Sequence, residues 1–214
     1  MAVPARATKR RMPAAQRREL VVEAALEEFA QRGYAAASIG RIAAAAGISR
    51  SVLYDHFPSK HALFVDLLRS QRADLVEFMR VEIVSDAPLR HRLQGSCEAF
   101  FQFAEERPLA WLLLFPSHPP VDPAVVSEYR RSRSESNRIL AQAWAPDARR
   151  TGVDPQSGVG RAIFAMHIEA LHGAARWWHA HPDVSREEMV QAVMAVLWTG
   201  MGAVDRGEPW VDAT

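Results

Sequence analysis

Apolar residues recur along most of the chain at steps of three and four, the period of helices with one buried face. No convincing alternating run marks a half-buried strand. Glu19 to Gln31 reads as a first helix, with Leu20, Ala24 and Phe29 toward one side and Gly33 ending it. Two short helices fit between Ser38 and Phe57. After Pro58 and Ser59 a long helix carries Leu63, Phe64, Leu67, Leu68, Leu75, Phe78, Met79 and Ile83. It closes near Ser85 to Pro88, because the residue before a proline is driven out of helical space. Leu89 to Glu106 and Leu109 to Phe115 read as helices parted at Pro108, and four prolines between Pro116 and Pro123 enforce a loop. Val125 to Trp144 is expected as a helix with an arginine-rich outer face, followed by a partly disordered connection from Pro146 to Gly158. The last two helices, Val159 to His179 and Ser185 to Val204, are the most apolar, and Ser185 with Glu188 forms a capping box.

The two short helices lie in the run IGRIAAAAGISRSVLYDHF, which begins at Ile39. Ser38 is a candidate helix cap, and Ile39, Ile42 and Ala43 make a narrow apolar face whose small residue lets two helices cross closely. Gly47 falls where the turn needs positive φ. Ile48 plugs that turn, Ser49 caps the next helix, and Leu53 and Phe57, four apart, face the first helix. Arg50, Ser51, Val52, Tyr54 and His56 are then left outside, near a helix start, as in a helix presented to the major groove. Arg50 can donate two hydrogen bonds to guanine, Val52 can meet a thymine methyl, and the hydroxyls of Ser51 and Tyr54 can reach phosphate. Lys60 adds a cation in the first turn of the long helix. The same spacings also suit a plain helical hairpin, with Tyr54 and Phe57 as core aromatics and Arg50 as a solvated charge.

Charge favours the first reading. The net charge is only +1, yet residues 1–60 hold ten Lys or Arg against five Asp or Glu, and the remainder of the chain is net acidic. Arg6, Lys9, Arg10, Arg11, Arg17 and Arg18 precede any acid, a basic arm suited to a phosphate backbone or simply to solubility. A single cysteine, Cys97, excludes an internal disulfide and suits a reducing compartment. No apolar h-region follows the basic start, and the most apolar stretch, Pro108 to Pro116, is too short to span a bilayer, so a cytoplasmic location without membrane association is expected.

The run GYAAASIGRIAAAAGISRSVLYDHFPSKHALF closely resembles the N-terminal signature of tetracycline-repressor (TetR) type regulators: glycine plus aromatic, a small-residue second helix, glycine in the turn, then Tyr54, Phe57, Lys60, Leu63 and Phe64. The resemblance is specific over residues 17–68. It implies an all-helical subunit, a homodimer on a double-stranded DNA operator with twofold symmetry, and repression relieved by a small ligand. It also implies that Tyr54 and Lys60 touch phosphate while Arg50, Ser51 and Val52 lie closest to bases. Val52 departs from the threonine that is common in the family, which leaves an apolar contact only.

A three-helix head reads few bases, and pairing two copies doubles the site. The last two helices are apolar on more than one side, so one side can pack inside the subunit and the other against a partner. Phe164, Ile168, Trp178, Val193, Leu197 and Met201 are the candidate dimer residues, the alternative being that both sides are internal. Phe100, Phe103, Trp111 and Phe115 concentrate aromatic surface, and together with His167 and Leu171 they are candidates for a hydrophobic or aromatic effector site; each also suits an ordinary core.

No HExxH, CxxC, glycine-rich phosphate loop or GxSxG is present, so neither a catalytic residue nor a metal or cofactor site is expected. The rival readings are a ligand-independent DNA-binding structural or adaptor protein and, more remotely, a helical enzyme using the late histidines. The sequence as a whole predicts an all-α chain: a flexible basic arm (1–16), a helix-turn-helix DNA-binding domain (17–62), and a helical regulatory and dimerisation domain (63–207).

Overall fold

The computed structural model describes residues 13–116, 120–150 and 152–205, with backbone only over 199–205. Nine helices and no strand occur among the described residues: α1 (Ala14–Ala36), α2 (Ile39–Ala45), α3 (Arg50–His56), α4 (Lys60–Ile83), α5 (Leu89–Glu106), α6 (Pro108–Leu114), α7 (Pro123–Arg150), α8 (Gly158–His179) and α9 (Arg186–Asp205). The chain divides into two units, residues 1–67 and 68–214, with α4 running from the first into the second. Most of the expected basic arm lies outside the described residues, and the arm's expected end at 16 falls inside α1.

In the first unit α1 packs against α2, and α2 against α3. The regular part of α1 is interrupted at Gly33 (φ 70°, ψ 165°). Val21, Ala25 and Phe29 from α1, Ile42 and Ala43 from α2, Leu53 and Phe57, and Leu63, Phe64 and Leu67 from α4 close into one core. Phe29, Tyr34 and Phe64 meet within it at ring separations of 5.0–6.1 Å.

The second unit is layered by α5 against α6 and α9, and α8 against α7 and α9. Part of its core is aromatic. Phe100 meets Phe101, Trp111 and Phe115 edge-on at 5.1–5.7 Å, and Phe101 in turn meets Trp178 at 5.2 Å. The capping box of α9 is present, with Ser185 N–H donating to Glu188 Oε2 (2.9 Å) and Glu188 N–H to Ser185 Oγ (3.2 Å).

One element differs from the sequence reading. Pro146, which removes a helical N–H donor, does not end α7; the helix continues to Arg150. Tertiary contacts outweigh the local preference there: Asp147 is buried and paired with Arg92, whose Nη1 also donates to the carbonyl of Ile83 (2.9 Å). The helix stops instead in a paired turn, with Gly152 N–H on the Arg149 carbonyl and Val153 N–H on the Ala148 carbonyl.

Candidate DNA-binding surface and effector cavity

The helix-turn-helix is held from below by a residue the sequence reading passed over. Glu28 sits on the buried stripe of α1, in phase with Val21, Ala25 and Phe29. Its Oε1 accepts from Ser38 N–H (2.8 Å) and Arg41 Nε (2.8 Å), and its Oε2 lies 3.3 Å from Arg32 Nε. The hydrogen bond from Arg41, followed by that from Ser38, holds the Glu28 carboxyl below its usual range in spite of burial. Ser38 is therefore the N-cap of α2, as expected, but its backbone is what is tied, and its side chain makes no capping bond. A charged residue in an apolar phase of the first helix was the signal available in the sequence.

Gly47 has φ +67°, and the turn closes with Gly47 N–H on Ala44 O (3.1 Å) and Ile48 N–H on Ala43 O (3.0 Å). An L side chain rarely adopts that φ, so the glycine fixes the direction in which the chain leaves α2. Ser49 Oγ then accepts from Val52 N–H (3.3 Å) and shares a hydrogen bond with Ser51 Oγ (2.8 Å). With Leu53 and Phe57 buried, Arg50, Ser51 and Tyr54 are exposed, and Val52 and His56 are half-buried. The Arg50 guanidinium rests on Gly40, where an added Cβ would run into Nη2.

Lys60 is placed differently from a purely outward phosphate ligand. Its Nζ donates to the carbonyls of Ala37 (2.8 Å) and Ala35 (3.2 Å) and stands 4.6 Å from the Tyr34 ring centroid. It thus ties the start of α4 to the segment that follows Gly33. Arg18 makes a second tie to α4, with Nη2 2.6 Å from Asp66 Oδ2 and the guanidinium over the Phe57 ring.

In the second unit a cavity of about 90 Å³ is bounded mainly by apolar side chains, among them Met79, Leu93, Leu140, Trp144, Val153 and Ile163. Of the six candidate effector residues, His167 and Leu171 line it. Phe100 borders only a smaller neighbouring cavity of about 20 Å³. Phe103, Trp111 and Phe115 line neither of these two: Trp111 and Phe115 close on each other at 4.4 Å, and Phe103 packs on Phe78 at 5.7 Å, so their faces are spent on neighbours.

The candidate dimer residues also make contacts within the subunit. Phe164, Ile168 and Leu197 line the larger cavity, Val193 is buried, and Trp178 packs on Phe101 and donates Nε1–H to Val184 O (2.7 Å). Ile168, Val193 and Leu197 are buried in the subunit, Phe164 and Trp178 are half-buried, and the Met201 side chain lies outside the described residues. The outward apolar positions are Val159, Met166 and Trp177 on α8 and Val196 on α9, with Val196 71% and Met166 63% exposed. Periodicity had indicated that these helices carry two apolar sides without telling which side each residue takes.

A short helix with a solvated polar face, seated on two others through a glycine turn, is the arrangement of a helix-turn-helix DNA-binding domain. The family "Bacterial regulatory proteins, tetR family" matches residues 21–67, the part that carries this surface. Over these residues the chain is similar to the helix-turn-helix domain of TetR-type regulators, and its relatives support a DNA-binding transcriptional regulator. It is 28% identical over 194 residues to the HTH-type transcriptional activator FasR of Mycolicibacterium smegmatis, covering 91% of this chain and 87% of that one. Its fold matches a putative transcriptional regulator from Pseudomonas aeruginosa PAO1 (TM-score 0.73, 23% identity, 92% of this chain and 97% of that one). It also matches FadR from Bacillus subtilis, solved in complex with stearoyl-CoA (TM-score 0.71, 16% identity, 89% and 98%). No helix among the described residues is long and apolar enough to cross a membrane.

Proposed function

We propose that the protein binds a twofold-symmetric operator as a homodimer and acts as a repressor that a small hydrophobic effector releases from DNA. The observation that carries the DNA-reading part is the division of α3: Leu53 is fully buried while Arg50, Ser51 and Tyr54 face solvent. Arg50, Ser51 and Val52 address base edges; Tyr54, Ser38, His56 and Lys60 address the backbone. Lys60 uses its ammonium on Ala35 and Ala37 as well, so it both shapes the head and adds positive charge beside the strand.

Support for a homodimer comes from the exposed stripe of Val159, Met166 and Trp177 on α8 and from the exposed Val196 on α9, apolar surface suited to a partner. An effector site is supported by the larger cavity, with His167 and Leu171 in its wall, and by the fold neighbour that holds an acyl thioester. Coupling between the two functions would run along α4, which places Phe64 in the core of the first unit and Met79 in the cavity wall of the second. Effector binding shifts the population of α4 positions, and with it the fit of two heads to major-groove faces about 34 Å apart.

Selection of bound sequences from random DNA with the purified chain tests this reading. A palindromic consensus is the expected result; binding with no consensus would favour a ligand-independent structural protein instead.

A further inference from the structure

Arg72 follows Leu68 by four residues and precedes Leu75 and Met79 by three and seven, so α4 carries a guanidinium into a position its neighbours use for burial. The residue is only 5% exposed. Among the described residues its one hydrogen bond is a long one, from Nη2 to the Leu114 carbonyl (3.4 Å); its guanidinium carbon stands 5.2 Å from the Phe115 ring centroid, and Nε is buried without an acceptor. Tyr129 favours its charge, whereas Arg133, which is itself paired with Glu169 (3.1 Å), lies close enough to repel it. Burial lowers the Arg72 guanidinium to about 10, which still leaves it charged at neutral pH. Buried charges in folded proteins are paired, and among the described residues this one has no carboxylate partner.

Arg72 lines the smaller cavity, whose other polar walls are Ser136, Asn137 and His172. That cavity shares Met79, Leu140, Ile168 and Leu171 with the larger apolar one. A cationic end is thus joined to a greasy end. Resting on the reading that this unit binds an effector, we infer that the effector is an amphipathic monocarboxylate: Arg72 and Asn137 hold its carboxylate, and its aliphatic or aryl body fills the larger cavity. The planar fork of arginine matches a two-oxygen head. His172 stays uncharged in its buried setting, so among the residues lining this cavity Arg72 supplies the one positive charge, which suits a monoanion better than a dianionic phosphate.

The test measures binding by calorimetry and thermal shift on the full chain, with hexanoate, decanoate and 3-phenylpropionate, the matching alcohols, acetate and inorganic phosphate. At least one acid should bind about tenfold or more tightly than its alcohol, the margin a charge-assisted bond provides. Arg72→Met should bring that acid down to its alcohol while leaving the alcohol unchanged, and the unliganded melting temperature should stay level or rise because an unpaired buried charge has gone. Arg72→Lys, which keeps charge but not the fork, should be intermediate, and it serves alone if the Met variant does not fold. Acid and alcohol binding alike, no acid binding, retained acid affinity in Arg72→Met or Arg72→Lys, or acetate and phosphate matching the longer acids (an adventitious ion only) would each overturn the assignment. A separate operator titration keeps the two readings apart. Acids that bind through Arg72 without changing operator affinity refute effector control alone, and release driven equally by alcohols refutes the carboxylate alone.

Discussion

The carboxylate of Glu28 accepts the backbone N–H of Ser38 at 2.8 Å, so the first helix holds the residue from which the second begins. The same oxygen takes Arg41 Nε from within α2. Glu28→Ala therefore leaves two donors without an acceptor and should destabilise the first unit by about 1–3 kcal/mol. Hydrogen exchange should show the loss in α2 and not in α8. Because the Glu28 carboxyl is held below its ordinary 4.5, its contribution is present above that pH and is lost as pH falls through the lowered value. Wild type and variant should converge in acid, and equal exchange of α2 in both at neutral pH would show the contact to be without weight.

Arg50→Ala and Lys60→Ala should fail in different ways. The first is expected to cost about 1–3 kcal/mol on the selected operator and to relax base choice at one position of each half-site. Lys60→Ala should weaken every sequence about equally and also lower the melting temperature, since Nζ holds two carbonyls after Gly33. Affinities across a panel of single-base operator variants, with melts of both proteins, separate the two patterns.

Gly47→Ala should cost about 1–2 kcal/mol. Nothing lies within 4 Å of the added methyl, so the penalty comes wholly from φ +67°. Urea unfolding of the variant gives the number; a neutral result would mean that the turn relaxes to negative φ.

His172 should make stability fall in mild acid. Burial first, then Arg72, Arg133 and Arg176, lower the imidazole to about 3. At neutral pH its Nδ1, 3.8 Å from Glu169, is accordingly a contact with an uncharged ring and not an ion pair. The unfolded chain takes up the proton near 6.5 while the folded chain does not, so stability is full above 6.5 and declines as pH drops toward 3. Between pH 7 and 5 the decline attributable to this residue is about 2 kcal/mol. His172→Gln, measured by urea midpoints at the two pH values, should lack that share of the slope.

The elements legible in the sequence were those set by local chemistry. Leu89–Glu106 and the Ser185–Glu188 cap were readable because prolines, caps and periodicity agree there. Pro146 misled because its cost is local while the compensation, Asp147 on Arg92, comes from fifty-five residues away. The outward face of α3 followed from elimination, since Leu53 and Phe57 had to be inside. The cavity was not readable in that way. Trp111 and Phe164 look alike as apolar positions, and only packing decides that one closes on Phe115 while the other borders open space. Glu28 and Arg72 carried a usable signal, a charge in the phase of a buried stripe, which marks a group that must find a partner.

Gly40 lies ten residues from Arg50 in the chain and directly beneath its guanidinium. Any larger residue at 40 would displace the head of the arginine, and any shorter residue at 50 would leave a bare notch on α2. Positions 40 and 50 are thus one volume divided between two codons, and libraries meant to retarget this regulator should randomise them together.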